Sequence, residues 1–263
     1  MSGKIALITG STGGLGTEFA KIHASREGNL VLVSRDEKEL QKQKRELESK
    51  YNIKVLMTIA IDLSKENAAE EIYEKVKSDG IEVEYLFNNA GFGGRGEFHV
   101  RTMEQDISML MVNCLTPTKL MKLYLPDFVK RGHGKVLNTA STAAVMPGPL
   151  QSEYYATKAY MKSLGNGIWQ ELQGTGVTCT TLMPGAMKTK FISSSDMSNT
   201  KLFAHPVEPY DVALAGYNAM MKGKLNVTAG LRGIQKFVFP LMKLAPTKIM
   251  LKSIYNMQLE EKK

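Results

Sequence analysis

Ile5-Ala6-Leu7-Ile8-Thr9-Gly10-Ser11-Thr12-Gly13-Gly14-Leu15-Gly16 is the stretch on which the fold turns. Ile5 to Ile8 is a short apolar run that reads as a strand. A glycine-rich turn follows and opens a helix from about Gly14 to Glu27, which Gly28 and Asn29 end as a left-handed cap would. Glycines allow dihedrals that other residues avoid and let the backbone come close to a pyrophosphate. The amino end of the helix then offers unpaired N–H groups to an anion. The spacing differs from the tighter common dinucleotide fingerprint, and the lysine of a phosphate-cradling NTPase loop is missing. Gly10, Ser11, Thr12, Gly14, Leu15 and Gly16 are therefore candidate contacts to a dinucleotide.

Outward from this turn the pattern repeats. Leu30 to Val33 reads as a second strand, followed by a long polar helix to about Lys50. Val55 to Ile59 is a third strand, and a helix with Ile72 and Val76 on one face comes next. Glu84 to Phe87 leads into a fourth strand. Met103 to Met111 and Thr118 to Val129 read as helices separated by Pro117. Lys135 to Asn138 is a fifth strand, Ser152 to Gln173 a helix, and Val177 to Leu182 a sixth strand stopped by Pro184. Asp211 to Met221 resumes as a helix, and Leu225 to Val227 fits an edge strand. Strands alternating with helices of this length indicate parallel β-α-β units, and strands apolar on both faces need helices on both sides. Residues 1–263 read as one α/β domain without internal repeat or linker.

The chain carries 34 Lys and Arg against 26 Asp and Glu, a net charge of +8. The bases are scattered, and the densest block, Lys38 to Arg45, is mixed with Glu37, Glu39 and Glu46. No nucleic-acid partner is expected; a positive field that attracts a phosphorylated cofactor is compatible with this charge. Cys114 and Cys179 lie in apolar context and read as buried free thiols, which fits a cytoplasmic setting. Met1 to Ile8 runs directly into a strand without the layout of a signal peptide, and no apolar run is long enough to span a membrane. His23, His99, His133 and His205 form no close-spaced ligand set, so no metal is expected.

The second strand ends Val33-Ser34-Arg35-Asp36. An acid here can bind an unmodified ribose, whereas a base can meet a 2′-phosphate. Arg35, helped by Ser11 or Ser34, favours NADP(H) over NAD(H), and Asp36 is read as the start or cap of the next helix. Asp62, followed by Leu63, is placed either to accept from the adenine amino group or to cap a helix. Asn88-Asn89-Ala90-Gly91 lies just beyond the fourth strand, where small residues let the backbone approach the cofactor. Tyr154 and Lys158 are four apart on one helix and share a face. A neighbouring ammonium lowers a phenol's pKa, which gives the pair a logic for proton transfer. Ser141 follows the fifth strand and can hold a substrate oxygen at the carboxyl edge of the sheet.

Taken together, these residues resemble the short-chain dehydrogenase/reductase family from Lys4 to about Thr189. The resemblance is carried by the Thr9 to Gly16 turn, Asp62, Asn88 to Gly91, Asn113, Ser141, Tyr154, Lys158, and Pro184-Gly185 with Thr189. It implies a doubly wound, Rossmann-type, three-layer α/β fold with a parallel seven-stranded sheet in the order 3-2-1-4-5-6-7. It implies that Asn113 interrupts a helix and positions Lys158 through a water. Ser141 would orient the substrate, Tyr154 would give or take the proton, and Lys158 would also hold the nicotinamide ribose. Pro184, Gly185 and Thr189 would border the nicotinamide. It further implies a homodimer or homotetramer, often built through the helices of Asn113 and Tyr154.

The expected reaction is the interconversion of a carbonyl and a secondary alcohol. Residues Ala143 to Gln151 and a lid at about 186–206 should close the pocket. Val145, Met146, Leu150, Met187, Phe191 and Ile192 point to an apolar small molecule: a ketone, a steroid-like alcohol or an acyl substrate. The variable segment from about residue 230 to 263 fits a packed helix, an oligomer contact or a membrane-surface helix, with Pro240 and Pro246 interrupting it. The rival reading is a non-catalytic nicotinamide-dinucleotide-binding protein used for regulation or scaffolding. A methyltransferase would share the glycine turn, but has no use for Tyr154 with Lys158.

Overall fold

The structure, a computed structural model, describes residues 3–189, 206–233, 235–241 and 245–259. Most of the expected lid, including Phe191 and Ile192, lies outside the described residues. Seven strands form one parallel sheet: β1 (Ile5–Thr9), β2 (Asn29–Ser34), β3 (Val55–Ala60), β4 (Tyr85–Asn88), β5 (Gly134–Thr139), β6 (Val177–Pro184) and β7 (Asn226–Ala229). Their order is β3-β2-β1-β4-β5-β6-β7, as the resemblance implies. The chain moves outward from β1 to β3 and then returns to place β4 on the other side of β1. The gap between the exits of β1 and β4 is thus the topological switch point, where open α/β sheets bind ligands.

Alternation along the strands builds two cores. Leu7 faces Val31, Val33, Leu86 and Val136, a layer covered by α3 (Ala68–Ser78), α5 (Thr116–Arg131) and α6 (Ser152–Glu171). Ala6 and Ile8 face Leu30, Leu32, Phe87 and Leu137, a layer covered by α1 (Gly14–Ala24), α2 (Glu37–Lys50) and α7 (Pro209–Met221). Both faces are dry, which is why the strands read as continuous apolar runs. Each such side chain contributes about 1.5–3 kcal/mol by its burial. Two more helices, α8 (Gln235–Leu241) and α9 (Thr247–Gln258), follow β7. No described helix is long and apolar enough to cross a membrane.

Four local expectations need correction. The left-handed residue after α1 is Glu27, at φ 60°, not Gly28. Gly28 is needed for space, since a Cβ there would lie 2.1 Å from Nε2 of His23. Pro117 does not separate two helices; it sits in the first turn of α5, where a proline's missing N–H costs nothing. The interruption comes earlier, as a π-helical turn at Met111–Leu115 between α4 (Met103–Leu110) and α5. Pro184 belongs to β6 rather than stopping the strand before it, and Pro240 lies within α8, so of these prolines only Pro246 marks a boundary, as the cap of α9.

His23 ties the layer of α1 to that of α7. Its Nδ1 is 2.8 Å from the Tyr217 hydroxyl and its Nε2 is 2.9 Å from the Lys4 carbonyl. A neutral ring satisfies both, donating from Nε2 to the carbonyl and accepting the phenol proton at Nδ1. Burial pushes its pKa down to about 4 from the usual 6.5. The unfolded chain therefore binds a proton that the native protein refuses. This contribution is complete above pH 6.5 and is lost as pH falls through about 4, a difference of about 3 kcal/mol between pH 7 and 4. In urea unfolding, the stability of the wild type relative to His23→Gln should drop by that amount over this range. A difference that does not change with pH would contradict the assignment.

Candidate active site

The site starts from the glycine turn. Gly10, at φ 64°, presses on the exit of β4: a Cβ on it would lie 3.0 Å from the Ala90 Cα. A Cβ on Gly16 would lie 2.1 Å from the Gly10 carbonyl oxygen, so α1 can start this close to β1 only with glycine there. The Thr9 hydroxyl closes the switch point. It donates to the Phe87 carbonyl at 3.1 Å and accepts from the Asn89 and Ala90 N–H groups at 3.0 and 3.1 Å. The Asn89 side chain returns a bond to the Thr9 carbonyl at 3.0 Å.

The residues present fit a dinucleotide. The amino end of α1 has no side-chain cap and no acid in its first turn, so its partial positive charge is left for an outside anion. By contrast, the amino end of α2 is capped by Asp36, which accepts from the Lys38 and Glu39 N–H groups, with Glu37 and Glu39 beside it. Asp36 is thus committed to its helix, and Arg35 stands exposed next to it. Thr12 and Ser34 share a hydrogen bond of 2.6 Å at the same edge. Ser11 departs from expectation. It is fully buried, its carbonyl accepts from Gln43, and its hydroxyl has no partner among the described residues, so it cannot meet a ribose phosphate at the surface.

Asp62 accepts from the N–H and hydroxyl of Ser64 at 2.9 and 2.8 Å. Those bonds, with a smaller effect from Arg35, hold its carboxyl below the usual carboxylate range. Leu63 turns into the core, and its carbonyl accepts from Thr116. Leu15 is likewise buried. Pro184 and Gly185 leave the carboxyl end of β6, and Thr189 reaches the glycine turn: a Cβ on Gly14 would lie 2.7 Å from its Cγ2.

Asn113 lies in the π turn, and its side chain spans two elements. It accepts from the Phe92 N–H at 3.0 Å and donates to the Phe92 carbonyl at 2.9 Å and to the Thr157 hydroxyl at 3.1 Å. The Thr157 hydroxyl donates in turn to the Tyr154 carbonyl at 2.7 Å. Lys158 donates from Nζ to the Thr139 carbonyl at 3.0 Å. Asn113 Oδ1 and Lys158 Nζ flank Gly91, each 3.1 Å from where a Cβ would stand on it. Ser141 accepts from the Ala143 N–H at 3.1 Å and is hydrogen-bonded to the Tyr154 side chain. The Lys158 ammonium is 5.7 Å from the centre of the Tyr154 ring.

Burial acts on the pair in opposite senses. It pushes the Tyr154 phenol up to about 12, opposed by the Ser141 hydrogen bond, and pulls the Lys158 ammonium down to about 8. The expected lowering of the phenol below its ordinary value is therefore overturned, because desolvation of a phenolate outweighs everything else around it. At neutral pH the phenol holds its proton and the lysine is still mostly cationic. Such a pair can deliver a proton to a nearby oxygen and stabilise the anion left behind.

Thr9, Gln43, Thr139 and Thr157 are the positioning residues that sequence reasoning missed. Only Thr9 lay within a recognised motif; the others act through tertiary contacts or a backbone carbonyl, which leave no mark in spacing. Among the described residues, no group of three or more His, Cys, Asp or Glu could hold a metal ion.

A profile of the short chain dehydrogenase family matches residues 4–199. The very-long-chain 3-oxoacyl-CoA reductase of Mus musculus is 31% identical over 194 residues, covering 72% of this chain and 61% of that protein. The chain thus spans less than two thirds of that relative's length. A short-chain dehydrogenase from Sphingobium yanoikuyae, solved in complex with NADPH, superposes with a TM-score of 0.81 at 25% identity, over 94% of this chain and 95% of that one. A 3-ketoacyl-(acyl-carrier-protein) reductase from Brucella melitensis, complexed with NADH, does so with a TM-score of 0.76 at 26% identity, over 87% and 97% of the two chains. With the glycine turn, the switch point and the Ser141, Tyr154 and Lys158 cluster in one continuous site, the chain belongs to the short-chain dehydrogenase family of oxidoreductases.

Proposed function

We propose that this protein is an NADP(H)-dependent oxidoreductase that interconverts a carbonyl and a secondary alcohol on an apolar substrate. One observation carries this reading: a half-buried Tyr154 hydrogen-bonded to Ser141, with Lys158 beside its ring, at the carboxyl edge next to the switch point. When bound, the nicotinamide would supply or accept the hydride. Tyr154 gives its proton to the carbonyl oxygen in reduction and takes it back in oxidation. Ser141 holds that oxygen in place. Lys158 offsets the charge of the phenolate, and this electrostatic help acts where charge develops. Asn113 holds the π turn that brings it beside Gly91 and Lys158.

Glycines 10, 14 and 16, Asn89, Ala90 and Gly91 are assigned to the dinucleotide, with Pro184, Gly185 and Thr189 at its nicotinamide end. Arg35 beside Thr12 and Ser34 supports NADP(H), since Asp36 is occupied as a helix cap. Met146, Met250 and Met257 join Tyr154 around the apolar cluster of Ala143, Tyr155 and Ile254, which supports an apolar ligand. The relatives' names favour the acyl class within that range, a 3-oxoacyl thioester. Ile107, Leu110, Leu115 and Tyr160, left exposed along α4, the π turn and α6, suit a homodimer or homotetramer. Two buried free thiols suit a cytoplasmic setting.

Carbonyl reduction by Tyr154→Phe tests the proton donor. Turnover should fall by about 10³-fold while NADPH affinity stays within a few-fold. Retention of near-normal turnover would remove Tyr154 from that role. Loss of turnover in a protein that binds NADPH but reduces no carbonyl even as wild type would instead favour the regulatory reading.

Arg35→Ser tests the cofactor preference. The KM for NADPH should rise by about 10- to 100-fold, as for a lost charge-assisted bond, and that for NADH should barely move. A wild type that prefers NADH would overturn the assignment.

A further inference from the structure

The last described helix packs onto the site. α9 buries Gln258 and sets Ile254 into one apolar cluster with Ala143 and Tyr155, against which the half-buried Met250 and Met257 of the same helix pack, as do Met146 and Tyr154. Three otherwise separate segments are tied together there. The Arg95 Nε, just beyond Gly91, donates to the Gln258 carbonyl at 2.8 Å. The Gln258 Nε2 donates to the Tyr155 hydroxyl at 3.4 Å. The Gly96 N–H donates to the Leu150 carbonyl at 2.8 Å, with Leu150 held at φ 64°, in the left-handed region that a branched side chain avoids. Tyr155 lies against Gly148, where a Cβ would stand 2.2 Å from its ring, and meets Tyr154 edge-on at 6.1 Å.

We infer that α9 is a wall of the substrate pocket, that Met250 and Met257 set the size of ligand it accepts, and that the Arg95–Gln258 bond is the latch that positions this wall. The inference rests on the oxidoreductase reading above. The physics is simple. A helix of 12 residues is marginal on its own, so its place depends on its contacts. Gln258 is the last residue of the helix, where carbonyls lack partners and a cation is favoured. Arg95 supplies both a donor and a charge at that end. The unbranched methionines on the inner face adapt to apolar ligands of varied shape. Arg95 acts through the helix and is a positioning residue, not a catalytic one.

The test uses the full chain, with NADPH and straight-chain methyl ketones from butanone to methyl octyl ketone. Arg95→Ala should raise KM for the longest ketone about tenfold, leaving kcat within about threefold and NADPH affinity unchanged. Arg95→Lys can still donate to the carbonyl and should recover most of the loss. Met257→Ala should move the preferred ketone toward longer chains by about tenfold in kcat/KM. Hydrogen exchange gives a readout without turnover: methyl octyl ketone with NADPH should protect the amides of α9 in the wild type. Unchanged KM across the series in both variants, or unprotected α9 amides in a wild type that turns ketones over, would overturn the wall. Protected α9 amides in a wild type that reduces no ketone would keep the wall and sink the reductase reading instead. A joint fall of kcat and NADPH affinity in Arg95→Ala, without rescue by lysine, would mean general damage to the site and would overturn the latch.

Discussion

The Thr9 hydroxyl, shared between the exits of β1 and β4, is the contact on which the site depends. Two central strands leave the sheet at the switch point, and their backbone polar groups must be satisfied as the chain turns away. One side-chain oxygen donates to the Phe87 carbonyl and accepts from Asn89 and Ala90. This draws the glycine turn against Ala90 until only glycine fits at residue 10. It also sets Gly91 where Asn113 and Lys158 can stand on either side of it. The phosphate end and the proton-transfer end of the site are thereby built on one short bridge.

Around that bridge, burial tunes the chemistry. A phenol and an ammonium are both costly to keep charged in a dry site, so the first is raised to about 12 and the second lowered to about 8. The two values have moved so that, near neutral pH, the tyrosine is a reliable proton donor and the lysine a cation that can still exchange. The same burial acts on His23, where no reaction is involved, and there it produces only acid sensitivity. Position at the carboxyl edge separates the two outcomes.

Much of this was legible in the sequence because it is written locally. The strand runs, the glycine turn and the four-residue spacing of Tyr154 and Lys158 are short-range patterns that survive in the fold, and they carry the family resemblance, which alone implied the strand order. What was illegible depends on distant partners. Gly28 reads as a helix stop, but its reason is the ring of His23. Pro117 reads as the helix break, but the break is the π turn at Asn113 that only the resemblance implied, and Asn113 there bonds twice to Phe92, 21 residues earlier. Ser11 reads as a surface hydroxyl and is in fact turned inward beneath Gln43. Nothing in residues 247–258 announces that they pack on Tyr155, because methionines and a glutamine at helical spacing are ordinary in any core.

The central claim is that a protonated Lys158 supports proton donation by Tyr154. The most direct measurement is the pH dependence of kcat/KM for carbonyl reduction, compared between the wild type and Lys158→Arg. With Lys158 ionising at about 8, the wild-type rate should descend above that pH by about tenfold per unit. An arginine stays charged throughout, so any activity the variant retains should lack this limb. A wild-type profile that stays flat to about pH 9.5, or an identical descent in both proteins, would contradict the account.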